Sequence, residues 1–195
     1  VQLLWLNLVT DGLPALGLGV EPPERGVMER QPRAASAALI GWRQGLLLLA
    51  HGGLSALCAL AGFWIVYQGD VAKLAESRVV AFCILAFAQL GYSLSCRSWR
   101  VSLPQLGLAS NPTLLAAIGV SFMLQIGIVL IPFLHPVFGI EAYPTGREWL
   151  VIVGLSCVPM SCVELSKLVL GCRYVGDMKW RNLIMPRSLS MPDGC

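Results

Sequence analysis

The chain has 195 residues, of which 56% are hydrophobic and 13% charged, with a formal net charge of +3 and a mean hydropathy of +0.70. Soluble domains carry about 25% charged residues, so half that share leaves too little polar side chain to cover a globule of this size. Soluble and disordered classes are thereby disfavoured, the small net charge argues against nucleic acid, and an all-α, polytopic transmembrane bundle of about five spans in membrane lipid is expected.

The first run covers residues 1–20 and carries one charge, Asp11, among Gly12, Pro14, Gly17 and Gly19. It begins at Val1 with no Met, no basic segment and no cleavage site, so it reads as a fragment that starts upstream rather than as a signal peptide. A carboxylate at membrane depth costs a few kcal/mol and needs a partner, a cavity or a proton. Asn7 lies four residues before Asp11 on the same helix face, and Thr10 is adjacent. Pro14 removes a backbone donor and clashes with the Thr10 carbonyl, and Gly12 permits unwinding. The span is therefore expected to break at Gly12–Pro14 and to free carbonyl oxygens, which membranes tolerate where they line a cavity or bind an ion. Carboxylate, amide, hydroxyl and carbonyl oxygens suit Ca²⁺ and, with other geometry, Mg²⁺, Mn²⁺ or Na⁺. Ion binding and a kinked helix whose Asp11 pairs with a distant basic residue both remain open, although no Lys or Arg lies at comparable depth.

Residues 21–45 form a Pro-rich connector with Arg25, Arg30, Arg33 and Arg43. A scaffold of four spans follows over residues 46–170, with runs at about 46–67, 79–96, 112–134 and 149–170. Residues 171–195 form a tail of little periodicity. Gln89, with Tyr92 and Ser93 at i+3 and i+4, reads as a helix–helix hydrogen-bonding residue, as do Gln125 and Ser121. Glu164 and Lys167 read as a local pair, with Lys167 snorkelling to the interface. His51 and His135 have no partner at ligand spacing, and the seven cysteines without motif spacing read as packing residues.

Lys and Arg in short loops orient such a bundle. The connectors after the first and third runs, with Lys167 at the end of the fifth and the region after it, hold eleven; the other side holds Lys73, Arg78 and Arg147. The Pro-rich connector and the tail are therefore expected in the cytoplasm.

The stretch Asn7-Leu8-Val9-Thr10-Asp11-Gly12-Leu13-Pro14, within residues 2–15, resembles the sixth membrane helix of the P-type cation-transporting ATPases, most closely the calcium-pump branch. Gly19-Val20-Glu21-Pro22-Pro23 and Met28-Glu29-Arg30-Gln31-Pro32-Arg33 are similar to the following loop of that family. Leu94-Ser95-Cys96-Arg97-Ser98 resembles the stretch after its eighth helix, Ser110-Asn111-Pro112 with Leu124-Gln125 its ninth helix, and Val163-Glu164-Leu165-Ser166-Lys167 its tenth, in order. The resemblance implies that Asn7, Thr10 and Asp11 are cation ligands. Gln89 falls where two-site calcium pumps carry a glutamate, which resembles one-site pumps and implies one Ca²⁺ per cycle. The family's D-K-T-G phosphorylation motif and nucleotide-binding domain do not occur here. The chain is then not catalytic alone, the ion site is incomplete within it, and ATP and Mg²⁺ belong to the absent parts. Its partners would be the N-terminal and cytoplasmic domains of the same pump, and the Pro-rich connector would meet the phosphorylation domain. A standalone truncated membrane protein with a structural or regulatory role, or a pump for Mn²⁺, Mg²⁺ or Na⁺, are the alternatives.

Overall fold

The computed structural model describes residues 1–23, 40–98 and 102–184; most of the Pro-rich connector (24–39), Arg100 and residues 185–195 of the tail lie outside the described residues. Every regular element among the described residues is helical. The first span is α1 (Gln2–Trp5), a π-helical turn (Leu6–Asp11) and α2 (Gly12–Gly19). The interruption expected at Gly12–Pro14 thus takes the form of a widened turn that closes at Gly12, which keeps helical dihedrals (φ −64°, ψ −49°) rather than unwinding. Pro14 accounts for the disturbance. With no N–H it cannot pair with the carbonyls four and five residues back, Thr10 and Val9. The Ser121 hydroxyl donates to the Val9 carbonyl at 2.8 Å and satisfies one of them from outside the span.

Four longer helices follow: α3 (Trp42–Tyr67), α4 (Leu74–Ser95), α6 (Pro112–Leu130) and α8 (Gly146–Ile184), with short α5 (Leu103–Leu106) and α7 (His135–Phe138) between them. Gln68 (φ 46°) and Gly69 (φ 83°) take left-handed dihedrals that reverse the chain after α3. Asp70 accepts from the Ala72 N–H at 3.0 Å and starts the next turn. Among the described residues, α3, α6 and residues Gly146–Leu168 of α8 are long and apolar enough to cross a membrane. The backbone of α8 continues to Ile184, beyond the span end expected near residue 170.

α4 is not in that group, and its place explains why. It packs against α3, α6, α8 and the first span. Val79, Val80, Cys83, Ile84, Ala86 and Ala88 on it are all buried. A helix wrapped by protein does not have to dissolve in lipid, so it tolerates Gln89, Tyr92 and Ser93. α3 shows the opposite pattern, exposing Trp42, Leu46, Leu49, Leu57, Leu60 and Trp64. Its ends carry Trp42 and the Phe63, Trp64 and Tyr67 cluster, the ring placement expected where a helix meets both interfaces. Cys58 and Cys83 are packed in the core, while Cys96, Cys157 and Cys162 are exposed.

Polar knots hold the two ends of the first span. At one end Gln2 donates to the Phe138 carbonyl (2.7 Å), and the Trp5 indole N–H donates to Gln125 Oε1 (3.0 Å). At the other end Arg97, buried beside α4, meets Glu21 through Nε (2.9 and 3.1 Å) and Nη2 (2.7 Å). Its Nη1 donates to the Gly107 carbonyl at 3.0 Å, and Nη2 also meets Ser110 Oγ. Asn111 donates to Glu21 Oε2 (2.6 Å) and to the Gly17 carbonyl (3.0 Å), while its Oδ1 accepts from the Leu114 N–H (2.9 Å) and caps α6. Burial raises the affinity of Glu21 for a proton, but the hydrogen bonds from Arg97 and Asn111 and the Arg97 charge outweigh it and hold the carboxyl below its ordinary value.

A third knot corrects an expectation. Glu164 and Lys167 do pair, at 2.9 Å, but Lys167 is buried and does not snorkel. Its Nζ donates to the Ser95 carbonyl at 2.5 Å, filling one of the carbonyls left open at the end of α4. Glu164 in turn accepts from the Leu103 N–H at 2.8 Å.

Two outcomes follow from this packing. A Cβ on Gly17 would lie 2.7 Å from the Leu114 Cα. Gly17→Ala should cost about 1–3 kcal/mol in thermal unfolding of the full-length protein, whereas Gly19→Ala, with nothing within 4 Å, should cost far less. Because the folded Glu21 carboxyl sits below its ordinary value near 4.5, its contribution is complete above that pH and is lost as pH falls through the folded value. Acidification below about pH 4.5 should lower the melting temperature of the wild type more than that of Glu21→Gln.

Candidate cation site

The π-helical turn and the middle of α4 meet at Thr10 and Gln89. Thr10 is buried, and its hydroxyl oxygen lies 2.9 Å from Gln89 Oε1 and 2.5 Å from the Leu6 carbonyl. The hydroxyl has one proton to give, so three oxygens gather here around a single hydrogen. Thr10 and Gln89 border a cleft of about 150 Å³, lined also by Asp11, Pro14, Ala15, Tyr92, Ser93 and Cys96.

Three of the four residues singled out from the sequence, Thr10, Asp11 and Gln89, therefore line one cleft. Asn7 does not line it and is exposed one turn away. Asp11 is exposed at the cleft edge. The ion pairs among the described residues, Arg97–Glu21 and Lys167–Glu164, engage other acids. The reading in which Asp11 pairs with a basic side chain thus finds no partner among the described residues. A carboxylate at membrane depth with no counter-charge is poised to take a cation or a proton.

The other wall is one face of α4. Residues 89, 92, 93 and 96 follow the i, i+3, i+4, i+7 spacing, which also places Cys96 on the cleft, a residue that sequence reasoning left among packing cysteines. The Ser93 hydroxyl is spent on the Leu90 carbonyl at 2.6 Å and offers no free proton to the cleft. Behind it the His51 ring stacks on Tyr92, with centroids 3.6 Å apart and 19° between planes. His135 stands apart, with Nε2 3.0 Å from the Val129 carbonyl. No group of three or more His, Cys, Asp or Glu converges among the described residues. Apart from the single Cys96 thiol, the donors at the cleft are one carboxylate and neutral oxygens, a set suited to a hard cation rather than to a metal held by several thiolates or imidazoles.

Comparison with known proteins gives a consistent family. The family model described as "Cation transporting ATPase, C-terminus" matches residues 1–169. The chain is 35% identical over 159 residues to a calcium-transporting ATPase of Bacillus subtilis, covering 82% of this chain and 18% of that protein. It is 32% identical over 183 residues to calcium-transporting ATPase 1 of Bacillus cereus, covering 86% of this chain and 20% of that protein. It is 30% identical over 168 residues to the rat calcium-transporting ATPase type 2C member 2, covering 86% and 18%. The chain thus spans about a fifth of the length of these relatives. With its bundle of long apolar helices and a family match over residues 1–169, the chain belongs to the C-terminal, multi-pass membrane region of the cation-transporting P-type ATPases.

Proposed function

We propose that this chain is the C-terminal membrane part of an ATP-driven calcium pump, and that Asn7, Thr10, Asp11 and Gln89 are ligands of its transported ion. The observation that carries the reading is the cleft at which the Thr10 hydroxyl, 2.9 Å from Gln89 Oε1, sits beside the Asp11 carboxylate, which has no basic partner among the described residues. The names of the bacterial and rat relatives support calcium over Mn²⁺, Mg²⁺ or Na⁺ as the cargo.

Calcium takes about 6–8 oxygen ligands. The two Asp11 oxygens, the amide oxygens of Asn7 and Gln89 and the Thr10 hydroxyl make five and fall short of a closed shell. The remainder would come from spans outside this chain, packed on the face where Leu3, Leu4, Leu8 and Leu16 are exposed beside Asn7 and Asp11. Gln89 brings a neutral oxygen where a second carboxylate would add charge, which favours one Ca²⁺ per cycle. ATP, Mg²⁺ and the phosphorylated aspartate belong to the domains outside this chain. Phosphorylation there drives the site from one side of the membrane to the other, and Asp11 exchanges its calcium for a proton.

In this arrangement residues 1–20 carry ligands and residues 46–170 are scaffold. Residues 21–45 face the phosphorylation domain, and residues 171–195 are a cytoplasmic tail. The eleven-to-three bias of Lys and Arg supports that orientation.

Asp11→Asn in the full-length protein, reconstituted in vesicles, tests the assignment. Calcium-dependent phosphorylation by ATP should fall at least about a hundredfold, because the central charge of the site is removed. Phosphorylation by inorganic phosphate without calcium should persist. Normal calcium uptake by this variant would sink the assignment. Radioactive calcium counted against ATP consumed by the wild type should give one ion per cycle; a ratio of two would overturn the single-site reading.

A further inference from the structure

We infer that Glu21, Arg97 and Asn111 are positioning residues for the ion ligands: their clamp fixes the π-helical turn that carries Asn7, Thr10 and Asp11 opposite Gln89. The inference rests on the proposed calcium site and adds to it how that site is held. Each partner of the Glu21–Arg97 pair extends a ligand-bearing segment. Glu21 follows Asp11 by ten residues along the first span, and Arg97 follows Gln89 by eight along and just past α4. The pair therefore ties the same two segments that face each other at Thr10 and Gln89, about two to three turns away.

Asn111 makes the clamp rigid. One side chain caps α6, holds the Glu21 carboxylate and holds the Gly17 carbonyl of α2. At Gly17 the α2 backbone lies against Leu114 so closely that a Cβ would come within 2.7 Å of its Cα. The opposite end of the span is fixed by Trp5 on Gln125 and Gln2 on the Phe138 carbonyl. With both ends of the span fixed, its twist is taken up in the π-helical turn between them.

The chemistry of the pair suits geometry rather than adhesion. A buried ion pair adds little net stability over apolar residues of similar volume. A guanidinium fork on a carboxylate does fix distance and angle, which a lysine ammonium does not. Every nitrogen of the Arg97 guanidinium has a partner here.

The test uses the full-length protein in vesicles and two gentle variants, Glu21→Gln and Arg97→Lys. Residues that orient ion ligands cost about 10- to 100-fold in affinity when changed. The half-saturating calcium concentration should therefore rise at least about tenfold, with the maximal calcium-dependent ATPase rate held within about twofold. Phosphorylation by inorganic phosphate without calcium should be unaffected. A folded Glu21→Gln protein with wild-type half-saturation overturns the inference. So does loss of the folded protein in both variants, or a fall in maximal rate without a shift in half-saturation, since the clamp would then serve stability alone. A wild type whose ATPase does not respond to calcium would instead overturn the proposed function from which the inference starts.

Discussion

A buried guanidinium must have each of its nitrogens partnered, and meeting that demand at Arg97 organises one whole end of this molecule. Burying the charge without partners would cost several kcal/mol. The partners come from three places: the Glu21 carboxylate after the first span, the Gly107 carbonyl in the loop beyond α5, and Ser110 just before α6. Those partners are 76, 10 and 13 residues away in sequence. Asn111 then links the same carboxylate to the N-terminus of α6. Lys167 plays a parallel part for α8, joining it to the end of α4 through the Ser95 carbonyl. Where lipid supplies no hydrophobic drive between helices, such polar knots choose the neighbours, and close packing then fills in.

The packing follows from bilayer solvent in the same way. Large apolar side chains face outward on α3, whereas α4 buries its side chains, apolar and polar alike, against protein. The central helix can carry Gln89, Tyr92 and Ser93 because α3, α6, α8 and the first span replace lipid around it. This is also where the cleft lies.

Much of this was legible in the sequence because the bilayer demands long apolar runs, and Asp11 and Pro14 stand out in such a run. What was not legible depends on partners distant in the chain. The choice of a π-helical turn over an unwound segment involves Ser121, 112 residues from the Val9 carbonyl that it satisfies. Arg97 and Asn111 could be seen only as members of motifs, since nothing local says that Glu21 lies between them. Lys167 looked like a residue free to reach the interface; the open carbonyl at the end of α4 captures it instead. Gln89 read on its own as a helix–helix hydrogen-bonding residue, and its distance to Thr10 matches that reading. The ligand role proposed for it uses the same oxygen.

The widened turn at Leu6–Asp11 also sets an angle. Each residue advances an α-helix by about 100°, so a π-helical turn is in effect one residue of slack wound into the span. Shortening this segment by a single residue would let it relax to the ordinary pitch while α1 or α2 swung by roughly a quarter turn or more. Thr10 would leave Gln89, or Gly17 would leave Leu114; the two could not both be kept. The length of the chain between Trp5 and Pro14 is thus a phase setting as much as a spacer, and it constrains insertions and deletions here more severely than any single side chain.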